Sequence, residues 1–332
     1  MKKLRCWNLL AVFVLFGSVS QGFAGPDGNM KRRAQEWEQV KAAVSKGLPK
    51  TAKEQLEKIA AQARGEAAYP EAIRAAVWAM TLEAQIEGGQ PVEVIQRLQA
   101  AIPQWPEDAR PVMETILARW YWAFFQGNRW RFAERTRVAG ASGDDPLTWD
   151  LARILEEIDR HFAAALQAAD QLRKIPVADW DGLIQPGTLP DAYRPTLYDF
   201  LVREALEFYQ AGEQAGSKAE GAFELEAASA VFGTRDEFLG WKLDAGAAQE
   251  PLGKAILLFQ ELMRFHGAAG QDRARMAPCS WGGIALLLPA RCLRLIRNAM
   301  CWSVTMVSST MLCSAISNSS WSMAHGYTAM AV

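Results

Sequence analysis

Between Gly28 and His266 the chain is punctuated as a succession of helices, and that punctuation constrains the fold more than any other feature. Pro49, Pro70, Pro91, Pro106, Pro146, Pro195 and Pro251 stand where a first helical turn would begin. Proline is tolerated there because its missing N–H has no helical acceptor and its fixed φ suits the helix. Gln90 and Asp145 precede two of these prolines as N-caps, and Gly47, Gly65, Gly88-Gly89 and Gly127 supply stops. Between the marks, apolar residues keep helical spacing. Leu151, Ile154, Leu155, Ile158, Phe162 and Leu166 form one stripe of a helix expected from Pro146 to Lys174. Leu197, Phe200, Leu201, Ala205 and Phe208 repeat the pattern, as do Ala255, Leu258, Phe259 and Leu262. No run alternates with period two over a strand's length, so the fold class is all-α.

The first helices read as a pair. "LPKTAKEQLEKIAAQARGEAAYPEAIRAA" sets Ala52, Leu56 and Ile59 inward on one helix, turns briefly, and opens a partner at "YPEAIRA". The cadence is tetratricopeptide-like, but the usual tryptophan and leucine-glycine positions are missing and no copy repeats at a fixed step. The expected architecture is therefore an irregular α-solenoid of helical hairpins. Two more open stretches interrupt it. Val177 to Arg194 is expected as a long ordered loop, and Ala215 to Gln249 as a loop with one short helix near Ala222 to Ala230.

The two ends have different compositions from this helical head. Lys2, Lys3 and Arg5 precede an apolar run from Leu9 to Phe16, and Gly22-Phe23-Ala24 follows, so residues 1–24 read as a signal peptide cleaved after Ala24. The expected location is periplasmic or secreted. An uncleaved signal segment would be the sole membrane contact, since the apolar run is short for a span. No cysteine occurs from Gly25 to Pro278, which excludes disulfides and thiol chemistry over that stretch. After Asp272 there is no Asp, Glu or Lys, and Cys279, Cys292, Cys301 and Cys313 lack the close pairs of a zinc site. Residues 267–332 are read as an atypical, poorly packed or disordered tail produced by out-of-frame translation, and residues 25–266 as the helical domain. The net charge of −1 argues against nucleic acid as a partner.

"ILARWYWAFFQGNRWRF" (116–132) concentrates aromatic rings that point in nearly every direction around a helix. All-round apolarity marks a helix enclosed by others. Arg119, Arg129, Arg131, Arg135 and Arg137 can stack on the rings or pair with neighbouring acids. The alternative uses of the rings are contact with a membrane and a docking surface made of Trp120, Trp122, Phe125 and Trp130.

Candidates for chemistry are few. His161 and His266 are the two histidines of the head, and His161 reads as a locally hydrogen-bonded or solvent-facing side chain. "SGDDPLTWD" gathers Asp144, Asp145 and Asp150, which suits a calcium loop or an acid pair less well than helix capping, with Asp144 and Asp145 as N-cap and Asp150 in the first turn. No serine elbow or phosphate-cradling glycine loop is present. No catalytic residue, cofactor site or metal site is assigned.

Several phrases also carry a resemblance. "GLPKTAKEQLEKI", "YPEAIRA", "ILARWYWAFFQGNRWRFAERT", "GDDPLTWDLARILEEIDRHF", "LPDAYRPTLYDFLVREALEFY" and "AFELEAASAVF" make the stretch from Trp37 to Phe265 resemble the N-terminal helical region of large bacterial alpha-2-macroglobulin-family proteins. The resemblance implies an exported defence protein of endopeptidase-inhibitor type, with β-sandwich macroglobulin domains following and, in some members, a Cys-Gly-Glu-Gln thioester that traps proteinases. This chain has no Cys-Gly-Glu-Gln, and the similarity stops near His266, so no trapping residue carries over.

Three functions follow as expectations. The first is a truncated, non-catalytic interaction head whose partner is protein, either the missing macroglobulin domains or another periplasmic protein. The second is an independent tetratricopeptide-like scaffold that binds peptides or proteins. An enzyme is the weakest. A docking head should expose an apolar patch larger than about a few hundred Å2. A peptide scaffold should show a polar, arginine- or asparagine-lined groove, and an enzyme a cleft with converging carboxylates of perturbed pKa.

Overall fold

The computed structural model describes residues 33–133, 145–184, 194–211 and 229–268. Of these, 76% are helical and 1% are strand, so the all-α class holds. The helices are α1 (Ala34–Ser45), α2 (Pro49–Gly65), α3 (Tyr69–Glu87), α4 (Pro91–Ala101), α5 (Arg110–Gly127), α6 (Arg129–Ala133), α7 (Leu151–Leu166), α8 (Ala169–Leu172), α9 (Leu197–Tyr209), α10 (Arg235–Gly240) and α11 (Pro251–Ala268). The expectations for the signal segment (1–24), for Asp144, and for the tail beyond 268 fall outside the described residues, as do Arg135 and Arg137.

The α2–α3 hairpin forms as its sequence implies. Ala52, Leu56, Ile59 and Ala63 are buried on α2, and the first three share a core cluster with Ala75, Ala79 and Leu82 of α3. The alanines let the two backbones come close, and the leucine and isoleucine fill the space between them. Lys53, near the start of α2, pairs with Glu83, near the end of α3, so the helices run antiparallel. α1 completes the layer with Trp37 and Val40, and the Trp37 ring stacks on Trp78 at 6.2 Å. Buried at the edge of this cluster, Arg33 donates through Nε (3.0 Å) and Nη2 (2.6 Å) to Glu71 Oε2, while Trp37 Nε1 donates to Glu71 Oε1 at 2.7 Å. α3 ends where Gly88 takes the left-handed conformation (φ 67°), which a side chain would oppose.

Some punctuation means something else. Pro106 opens a turn, and α5 begins at Arg110 with Pro111 as its second residue. Pro146 also lies in a turn, where Asp145 Oδ1 accepts from the Leu147 N–H. The N-cap of α7 is Asp150, whose Oδ1 accepts from the Arg153 N–H at 2.8 Å, so the cap expected at Asp144 and Asp145 lies five residues further on, counting from Asp145. α7 stops at Leu166, and a short break precedes α8, so one helix does not run from Pro146 to Lys174.

Within the first expected loop, a 3₁₀ turn at Val177–Trp180 buries Val177 and Trp180. Its entry is tied to the start of α9 by Val177 N–H to Pro195 O (2.9 Å) and Leu197 N–H to Ile175 O (2.8 Å). Residues 185–193 of that loop, and most of the helix expected near Ala222 to Ala230, lie outside the described residues. A helix not expected from the sequence, α10, follows a capping box in which Thr234 and Glu237 exchange bonds. α11 then packs against a 3₁₀ turn, Ala247–Gln249, so closely that a Cβ on Gly253 would lie 1.8 Å from the Ala247 carbonyl oxygen.

The aromatic segment is core. Trp120, Tyr121, Phe124 and Phe125 of α5 are buried, Trp122 meets Phe208 edge-on at 5.8 Å, and Phe132 of α6 closes against Phe124 and Phe125. The four rings expected as a docking surface do not share one. Trp120 and Phe125 are 7% and 3% exposed, Trp122 is half-buried under the Arg119 guanidinium, and Trp130 alone of the four is open, at 59%. Rings spread around a helix face different neighbours, which is why they cannot converge on one outer face.

Candidate functional site: a polar cleft between α4 and α7

α7 is strongly two-sided. Ile154, Leu155, Ile158 and Phe162 are buried, while Arg153, Glu157 and Arg160, spaced i, i+4 and i+7, share another face. Opposite them α4 presents Gln96, Gln99 and Ala100, again at helical spacing. Between the two helices lies an open cleft of about 510 Å3, lined by these six residues and Trp149. Trp149, just before the α7 N-cap, is buried between the Tyr121 ring (5.6 Å) and the Arg153 guanidinium (5.3 Å).

Glu157 is the hub of the wall. It is 4% exposed and accepts from Arg160 Nη2 at 2.5 Å and from Arg160 Nε at 3.2 Å. His161 Nε2 lies 3.3 Å from Glu157 Oε1, and Gln99 Nε2 reaches the same oxygen at 3.5 Å. Burial pushes the Glu157 carboxyl up, but hydrogen bonds from His161 and Arg160 outweigh it and bring it down to about 2.

Behind the wall, His161 Nδ1 sits 2.5 Å from Glu114 Oε2 on α5, and the imidazole stacks on Tyr121 at 5.6 Å. The Tyr121 hydroxyl donates to Gln99 Oε1 at 2.8 Å, which returns the network to the cleft. Burial lowers the His161 pKa, and hydrogen bonds to Glu114 and Glu157 raise it; the balance is upward. His161 is thus a buried, hydrogen-bonded residue that joins α5 and α7, and it does not face solvent.

A second histidine site is built differently. His266 Nε2 lies 2.7 Å from Asp199 Oδ1, while Asp199 Oδ2 accepts from the Thr196 N–H and hydroxyl in the capping box that starts α9. It ties α11 to α9.

Chemically, the cleft can present guanidinium and amide donors, amide oxygens and an aromatic floor. Both His161 nitrogens are engaged with neighbouring side chains. Among the described residues no group of three His, Cys, Asp or Glu side chains is placed to hold a metal ion. No helix of the described residues is long and apolar enough to cross a membrane. Sequence reading singled out His161 but did not bring Gln96, Gln99, Glu114, Arg153 and Arg160 together as one site. The i, i+4, i+7 set on α7 was the available signal. No family model, no curated protein and no solved structure matches the chain.

Proposed function

We propose that the helical domain is a non-catalytic, exported interaction module that holds a segment of another polypeptide in the α4–α7 cleft. In this reading its hairpins stack as an irregular, tetratricopeptide-like α-solenoid. The observation that carries it is the character of the cleft: open, polar and arginine-lined, with its buried titratable groups committed to one another. A general acid or base needs a proton-carrying atom that a substrate can reach. His161, at 2% exposure with both ring nitrogens engaged, offers none.

The resemblance to the helical heads of alpha-2-macroglobulin-family proteins supplies a setting. There the bound segment would come from the macroglobulin domains of an endopeptidase-inhibitor-like defence protein. Among the described residues the exposed large apolar side chains, Val44, Leu48, Trp130 and Leu257, do not gather on one element, which favours a peptide-holding scaffold over docking through one broad apolar patch.

Selection of a displayed random-peptide library on the full chain tests the reading. Peptides should be enriched, and the set should vanish with Gln96→Trp, which fills the cleft from an exposed position on α4. Enrichment no better than on bare support, or a set indifferent to Gln96→Trp, would defeat it. So would hydrolysis of any glycoside or peptide substrate that Glu157→Gln abolishes.

A further inference from the structure

We infer that the occupant of the α4–α7 cleft is an extended acidic segment, one of whose Asp or Glu side chains is gripped between Arg153 and Arg160. The inference rests on the interaction-module reading and names its ligand.

Among the residues that line the cleft the charge is unbalanced. Two guanidinium groups line the cleft against one carboxylate, Glu157, and α4 contributes neutral amides and an alanine. Glu157 is nearly fully buried and takes its short bonds from Arg160. Arg153 therefore reaches its two nearest carboxylates only at long range, 3.6 Å to Glu157 and 3.9 Å to Glu156. Both distances exceed a hydrogen bond. Glu156 is 65% exposed and screened by solvent, so it competes weakly.

Arg153 is also held in place. Its guanidinium lies over the Trp149 ring, which is backed in turn by Tyr121. A guanidinium stacked on an aromatic face keeps its N–H edge for a planar, bidentate partner, the geometry of a carboxylate. Arg160, 54% exposed, contacts Glu157 through Nε and Nη2. Its other terminal nitrogen can face the same ligand.

The rest of the wall suits a peptide. Gln96 and Gln99 each offer an N–H donor and a C=O acceptor, as a passing backbone requires. The cleft is open, so a chain can run through it, whereas capture of a chain terminus calls for a closed end lined by backbone N–H groups. A cleft of about 510 Å3 is larger than a phosphate or sulfate fills.

Fluorescence anisotropy on the full chain at low salt provides the test. The probes are short labelled peptides of Gly and Ser with acetylated and amidated ends, carrying central Glu, Gln or Lys residues, and a Gly-Ser peptide with a free C-terminus. The Glu peptide should bind about tenfold more tightly than the Gln peptide, and Arg153→Gln should remove most of that preference. Gln96→Glu, an exposed change beside the arginines, should weaken the Glu peptide about fivefold or more while leaving the thermal midpoint unchanged. Equal binding of the Glu and Gln peptides, preference for the free C-terminus, competition by inorganic phosphate at the same concentration, or indifference to Arg153→Gln each overturns the inference. If the Lys or Gln peptide binds best and Gln96→Trp removes it, the acidic ligand is wrong and the interaction module survives. If no probe binds, the acidic ligand is again wrong, and the library selection decides the wider reading.

Discussion

Glu71 and Glu157 are buried to nearly the same degree, 3% and 4% exposed, yet their surroundings have opposite consequences. Glu71 ends in a closed tie, with both oxygens engaged by Arg33 and Trp37 at the edge of the apolar α1–α3 cluster. Glu157 stands on the wall of a cleft and is shared among Arg160, His161 and Gln99 from two helices. A carboxylate whose partners are themselves buried, as Arg33 and Trp37 are, holds structure together. One whose cationic partners are half-exposed, as Arg153 and Arg160 are, can release part of its charge balance to a ligand.

Substitutions at the two sites break or sharpen this contrast. Glu71→Ala should cost most, about 2–4 kcal/mol in urea unfolding, because it removes three buried bonds and leaves the Arg33 charge to the part-exposed Glu66 alone. Glu157→Ala should cost less, about 1–3 kcal/mol, since Arg160 can turn to water and His161 can give up its proton. The reverse order would mean that the tie and the wall have been assigned to the wrong glutamates. The same site predicts a pH profile. His161 has a raised pKa, so its contribution is complete below its ordinary 6.5 and fades as pH rises through the raised value. Glu157 is depressed to about 2, so its contribution is complete above its ordinary 4.5 and is lost as pH falls toward 2. The network is therefore strongest between 4.5 and 6.5, and the stability gap between wild type and His161→Gln should narrow at alkaline pH. A gap that stays constant would mean that His161 titrates alike in the folded and unfolded chain, and one that widens with pH would mean that the fold excludes its proton. Smallest of all, Lys53→Met should change stability by less than about 1 kcal/mol, because the Lys53–Glu83 pair lies on the partly exposed rim of the hairpin.

What the sequence revealed follows from how local each feature is. Pro49, the Ala52, Leu56 and Ile59 stripe and the following turn lie within one helix and its exit, so the α2–α3 hairpin was legible. Pro106 and Pro146 misled because a φ near the helical value also suits turns, and the cap moved to Asp150, whose side chain meets a free N–H three residues on. Aromatic density in α5 indicated burial correctly. It could not show that Trp130 would lie outside and Trp120 inside, since both belong to one stretch and differ in what tertiary structure puts beside them. The cleft was hidden for a related reason. It depends on Gln99 meeting Tyr121 and Glu114 meeting His161, pairings between helices that no spacing within a helix encodes.

Gly253 shows how much alignment can depend on one absent carbon. Because the Ala247 carbonyl occupies the space where a methyl group would go, any side chain at 253 acts as a wedge under the first turn of α11. A helix is stiff along its axis, so the displacement would reach Lys254 at Asp159, Gln260 at the Phe238 and Trp241 carbonyls, and His266 at Asp199. Three anchorages to three different parts of the domain are thus kept in step by a single vacancy in the sequence's side-chain inventory.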